Sequence, residues 1–159
     1  MNRRLLGVVA VIAAACLLAA GVAVANPALL VGDYEETTVT AVDGETNATL
    51  ATVDARVADG LVKQYVGLSA TDDLAADEGM LFVHDESGEH AYVMRGMTFA
   101  LDIVFVAPNG TVTRVHEADP ESGSLTRYRG RGQYVLEVPR GWSDRNGVDP
   151  GDRLVFELA

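Results

Sequence analysis

Asp102 is flanked by Leu101 and Ile103 in the run Leu101-Asp102-Ile103-Val104-Phe105-Val106, so strand alternation sets a carboxylate among apolar neighbours. A carboxylate inside a sheet is costly unless it is paired or hydrogen-bonded, so Asp102 either fixes a turn or serves a binding or catalytic pocket. Arg95, seven residues earlier at a strand end, is a candidate partner, and Glu137 a candidate second carboxylate. Together they define the one enzymatic reading the residues allow, a hydrolase or other enzyme using Asp102 with Arg95 or Glu137.

Arg127, Arg129 and Arg131 alternate with Tyr128, Gly130 and Gly132. Arginine's planar fork suits carboxylates and phosphates, so this cluster could dock an anionic ligand or a polyanionic polymer; nearby Glu117, Asp119 and Glu121 could neutralise it instead. His84, His90 and His116, with Asp85, Glu86 and Glu89 between the first two, have no familiar metal-ligand spacing, and no metal is expected. The chain carries no nucleophile-elbow serine, no phosphate-binding glycine loop and no dinucleotide fingerprint. No cofactor is implied, and an enzyme is the less favoured reading.

Strands must position these groups. Leu50 to Val57 alternates as a half-buried strand, Leu61 to Leu68 fits a short helix that Gly67 helps to end, and Met80 to Val83 reads as a buried strand. Ser87-Gly88 is expected to turn the chain back through Ala91 to Met94. Leu101 to Val106 and Thr111 to Val115 flank Pro108-Asn109-Gly110, a hairpin signal because Asn-Gly tolerates positive φ. A further strand is expected over Tyr134 to Val138, a short helix over Trp142 to Asn146, and a last strand over Arg153 to Leu158. The stretch from Glu117 to Gln133 reads as a long polar loop, a kind that is often functional. With no βαβ rhythm, the fold class is mainly β (α+β): a small, largely antiparallel barrel or sandwich with one or two short helices, behind an N-terminal apolar helix.

At 159 residues the chain has room for one domain. The divisions are 1–32 as membrane anchor or signal segment, 33–46 as an acidic, Thr-rich linker that could enter the sheet, and 47–159 as the domain. Arg3 and Arg4 precede an uncharged apolar run from Leu5 to Ala25, long enough to span a bilayer. Ala23-Val24-Ala25 followed by Asn26-Pro27 also reads as a cleavage site, so the domain is either anchored through 5–25 or secreted after Ala25. Both readings place it on the extracytoplasmic side. There Asn47-Ala48-Thr49 and Asn109-Gly110-Thr111 match the N-glycosylation pattern, making Asn47 and Asn109 candidates.

Acidic residues outnumber basic ones by 23 to 12, and the net charge is -11, which disfavours nucleic-acid binding. Many acidic groups, arginine in place of lysine, and abundant Ala, Val and Gly resemble the composition of proteins from salt-loving archaea. The lone cysteine, Cys16, lies in the apolar run, so the domain has no thiol for a disulfide or a nucleophile.

Gly67-Leu68, Leu74, Asp77-Glu78-Gly79-Met80-Leu81-Phe82-Val83, Tyr92-Val93-Met94-Arg95 and Leu101 to Val106 with Gly110 resemble, in order and spacing, the family called domain of unknown function 192. Tyr134 to Pro139, Gly141-Trp142, Gly147 and Gly151-Asp152 resemble its final third. Val93, Arg95, Gly96, Met97 and Ala100 stand where that family commonly has an aromatic-Trp-Met-Lys-Asn-Thr run and a proline. The resemblance implies a compact β-rich fold, frequent export, and no established activity. The favoured function is thus a non-catalytic, tethered or secreted module that binds a small ligand, a polymer or an envelope protein.

Overall fold

The computed structural model describes residues 31–159. The apolar run 5–25 and its expected helix lie outside the described residues. Seven strands form one sheet: β1 (Glu35–Val42), β2 (Thr49–Ala58), β3 (Glu78–Tyr92), β4 (Leu101–Val106), β5 (Val112–Ala118), β6 (Tyr128–Pro139) and β7 (Arg153–Val155). Their order is β5-β4-β6-β3-β2-β1-β7. Two short helices, α1 (Leu61–Val66) and α2 (Trp142–Asn146), join them, with a 3-10 turn over Gly67–Ala70 directly after α1. The architecture is the expected β-rich, largely antiparallel one.

The sheet curls into a half-barrel whose edges meet at one end. Thr111 bridges Arg153. The amide of Val112 donates to the Asp152 carbonyl, and that of Leu154 to the Gly110 carbonyl, each at 2.8 Å. Gly110 has φ +85, and a Cβ there would sit 2.6 Å from the Leu154 carbonyl oxygen, so glycine is needed both for the turn and for this approach.

Four readings need correction. β2 and β3 pair in parallel, with α1 as the crossover, so one βαβ unit exists where none was expected. Local pattern shows both strands and the short helix between them, but not that the strands lie side by side in parallel. Ser87-Gly88 does not end a strand: β3 continues to Tyr92 through an irregularity between Val83 and Gly88, which lets it bend while staying paired with β6. Tyr128 to Gln133 is strand rather than loop, with Tyr128–Gly132 paired to Gly88–Tyr92; it looks irregular in sequence because its exposed arginines alternate with buried glycines instead of with apolar side chains. β7 stops at Val155 rather than Leu158. The acidic stretch before Glu45 does enter the sheet, as β1 between β2 and β7.

All six residues of β4 are buried, so both its faces are covered. Val104 and Val106 join Val39, Val53, Leu81, Leu136 and Leu154 in an inner cluster drawn from both ends of the sheet, which Trp142 of α2 completes. Leu101, Ile103 and Phe105 face a second cluster with Met80, Phe82, Val135 and Leu68, the last from the turn after α1. The side-chain amide of Gln64 on α1 donates to the Val83 carbonyl at 2.7 Å and ties this cover to the sheet.

Asp102 points to the inner side. Its Oδ1 accepts from the amide of Gly141 at 2.9 Å and its Oδ2 from the amide of Ser143 at 2.8 Å. The carboxylate thus satisfies amides at the start of α2 that no intrahelical carbonyl can reach, and its negative charge sits at the favourable end of the helix. Gly141 and Gly147, with φ 74 and 66, bracket this one turn in left-handed conformations.

Asp102→Asn retains the shape but turns an NH2 toward one of the two amides. The expected loss is about 2 to 4 kcal/mol of unfolding free energy by chemical denaturation. Stability equal to the parent would show that the carboxylate is not the anchor of α2.

Candidate functional site

A hollow of about 400 Å³ opens between α1, the Met94–Met97 segment and the outward face of β3 and β6. Its lining mixes apolar Leu68, Phe82, Met94 and Leu101 with polar Gln64, Ser69, His84 and His90. Glu137 reaches it from β6. Pairing fixes that placement: Glu137 lies opposite Ile103, and Asp102 lies opposite Val138. Directly opposed residues share a face, so Glu137 belongs to the α1 side and Asp102 to the inner side. The two carboxylates are therefore separated by the sheet. Arg95 lines the hollow with Glu137, away from Asp102. Its guanidinium stands 4.4 Å from the centre of the Tyr65 ring and donates to the Tyr65 carbonyl at 3.3 Å, joining the end of α1 to the segment after Met94.

Glu137 is 7% exposed and makes no hydrogen bond to the other described residues, so its carboxyl opens only onto the hollow. Burial pushes its pKa up from 4.5 to about 8. Tyr92, beside it, is held neutral by burial and then by the Glu137 charge. The Tyr92 hydroxyl lies 2.9 Å from His84 Nε2. His84 stacks on His90 with ring centres 3.7 Å apart, and burial, followed by the neighbouring His90, lowers the His84 pKa to about 4 against the pull of Asp85. His90 Nε2 is buried without a partner. Burial thus favours the neutral forms of Glu137, Tyr92 and His84 within one lining.

The three histidines do not converge. His116 lies beyond Tyr92 and Phe105 in a chain of edge-to-face rings and binds the Arg129 carbonyl. Among the described residues no group of three His, Cys, Asp or Glu side chains could hold a metal ion.

The arginines also sort differently from the sequence reading. Glu117 and Asp119 both pair with Arg140, and Glu121 binds Thr126, so none of them neutralises the Arg127 to Arg131 run. Arg129 pairs instead with Glu89 at 3.2 Å. Asn47 and Asn109 both lie on exposed turns. A larger hollow, about 710 Å³, is lined by Asp54, Asp73, Asp77 and Glu78. Its acids, Asp54 included, stand in solvent, and its lining contains no buried polar group awaiting a partner.

The family model of domain of unknown function 192, described as an uncharacterised conserved region, matches residues 42–156. The chain belongs to the DUF192 family. A candidate transcription regulator from Sinorhizobium meliloti 1021 has a similar crystal structure, with TM-score 0.72 and 30% identity over 79% of this chain and 97% of that one. A protein of unknown function from Novosphingobium aromaticivorans DSM 12444 is similar with TM-score 0.66 and 27% identity, over 74% of this chain and 83% of that one. No curated protein matches.

Sequence reasoning named Glu137 and Arg95 but missed His84 and Tyr92 as their neighbours. The signal was present in Val135-Leu136-Glu137-Val138, where alternation puts Glu137 on the face of Val135. What closes the site is the bend in β3, which no local pattern announces.

An acid whose folded pKa is raised loses its proton first in the unfolded chain, so this contribution to stability falls between about pH 4.5 and 8. His84 acts oppositely: its lowered pKa makes stability fall as pH drops below 6.5 toward 4. Comparison with Glu137→Gln cancels the histidine. The variant is expected to match the parent near pH 4 and to exceed it at pH 8 by on the order of 3 to 5 kcal/mol in denaturant titrations. Parallel pH curves would show that Glu137 is not a buried neutral acid.

Proposed function

We propose that this DUF192 domain is a non-catalytic binding module that holds a small, uncharged, hydrogen-bonding ligand in the hollow beneath α1. The carrying observation is Glu137: a buried carboxyl with no hydrogen-bond partner among the described residues, on the lining of this hollow. Leaving such a group unpaired costs roughly 1 to 3 kcal/mol, which a ligand offering both donor and acceptor would recover. Protonated Glu137 and the Tyr92 hydroxyl each donate and accept, so a hydroxyl- or amide-bearing ligand suits them. A cationic ligand would lose its hydration beside a carboxyl whose neutral form burial favours, and the guanidinium of Arg95, the charged group on the lining, is already stacked on Tyr65. Leu61, 87% exposed on α1 at the rim, and Tyr65, 58% exposed, supply apolar surface for the ligand's other side. Catalysis by Asp102 is not favoured, because both of its oxygens are engaged by backbone amides on the other side of the sheet.

Monosaccharides, polyols and small amides screened by thermal shift on the full-length protein are expected to include at least one that raises the melting midpoint, with the effect lost in Glu137→Leu. A panel without any Glu137-dependent shift would count against the reading.

The proposal extends to address. Arg3, Arg4 and the apolar run from Leu5 to Ala25 support an extracytoplasmic domain, tethered through that run or released after Ala25. Protease added to intact cells is expected to digest a tethered domain, and a secreted one is expected in the medium. A cell-associated domain digested only after lysis would overturn this address.

A further inference from the structure

We propose that the hollow bounded by Arg114, Arg129 and Arg131 is a second binding site, which takes the phosphate or sulfate group of a compact ester. The hollow measures about 270 Å³ and is lined by these three arginines with Glu89, Thr113 and Gly130. It is not the cluster visible along the chain. Arg127 is outside it, and Arg114 enters from β5, where it lies opposite Phe105 of β4.

The packing of the β6 arm explains the gathering. Gly130 lies against the Phe105 ring so closely that a Cβ would fall 2.3 Å from it, and this brings the arm across β4 to the flank of β5. The Thr113 hydroxyl, 2.6 Å from the Arg131 carbonyl and 3.2 Å from the Phe105 carbonyl, pins the two elements together. Alternation then turns Arg129 and Arg131 to one side of the arm, beside Arg114. Three arginines line one hollow with a single carboxylate, Glu89, and Glu89 is engaged with Arg129. Arg114 and Arg131 have no ion pair among the described residues, although acids outnumber bases 23 to 12 in the chain.

Exposed arginines lining one hollow suit a tetrahedral oxyanion, which can accept from several planar forks at once. The volume exceeds that of a bare ion and leaves room for the group that carries it. A long polyanion fits less well, because beyond the hollow it would run over a body of net charge -11.

The test uses the full-length protein with inorganic phosphate, inorganic sulfate, glucose 6-phosphate and a sulfated polysaccharide, followed by calorimetry at ionic strength fixed with chloride. Binding of phosphate or sulfate is expected above the chloride background, with the sugar phosphate at least as tight. Binding is expected to weaken about tenfold or more in Arg114→Gln/Arg131→Gln and to persist in Glu137→Gln, which separates this site from the hollow beneath α1. Far-UV circular dichroism of the double variant is expected to match the parent, since all three side chains stand in solvent. Heats no greater than those with chloride, or undiminished binding by the double variant, would overturn the proposal. So would a polysaccharide that binds when none of the small anions does.

Discussion

Burial of β4 on both faces is the constraint from which the rest of the structure follows. Six consecutive buried residues need two separate covers. Curling supplies the first, because it brings the residues of β1 and β7 within reach of Val104 and Val106. The crossover from β2 to β3 supplies the second, because α1 and the turn after it must lie on one face of the sheet to connect parallel neighbours. The hollow beneath α1 is what remains where that second cover is incomplete. Its existence is thus a consequence of the topology rather than of any residue that lines it.

Within this frame, Asp102 and Glu137 show how one residue type acquires opposite roles on the two sides of a sheet. Asp102 keeps its charge useful by accepting two amides that α2 cannot satisfy itself, so its burial stabilises a helix too short to stand alone. Glu137 has no such donors, and burial instead favours its neutral form. A buried acid without a partner is tolerated when its removal would sacrifice something other than stability. That asymmetry, more than the presence of either carboxylate, separates an architectural group from a group that faces a ligand.

What was legible in the sequence is what rests on local pattern. The β4–β5 hairpin followed from Pro108-Asn109-Gly110 between alternating runs, and α2 from Trp142 to Asn146 ahead of Gly147. The buried strand position of Asp102 followed from its neighbours. What was not legible depends on partners distant in the chain. β1 opens with four polar residues, Glu35 to Thr38, spread over both faces, so its buried Val39, Ala41 and Val42 look too sparse for a strand until β2 and β7 flank it. The pairing of Arg140 with Glu117 and Asp119 could not compete on sequence distance with the arginines nearer to them, yet the register of β4 with β5 and β6 brings it there. The separation of Asp102 and Glu137 was hidden for the same kind of reason, since sequence shows that both sit in strands and only register shows that they face apart.

The bend in β3 does the remaining work. A strand that ran straight from Glu78 to Tyr92 would carry its distal half away from Phe82. With the irregularity between Val83 and Gly88, the distal half returns, and Tyr92 meets the Phe82 ring edge to face at 5.1 Å. His90 and Tyr92 then wall the hollow that holds Glu137, while Glu89 lines the arginine hollow. Because β6 follows the bend through its pairing, Gly130 is carried onto Phe105, and Arg129 and Arg131 are carried with it. Both hollows therefore depend on one irregular stretch of backbone, Val83 to Gly88, whose acidic residues Asp85 and Glu86 have no packing role. A change that straightened that stretch would be felt at both sites at once, whereas a change within either hollow would stay local.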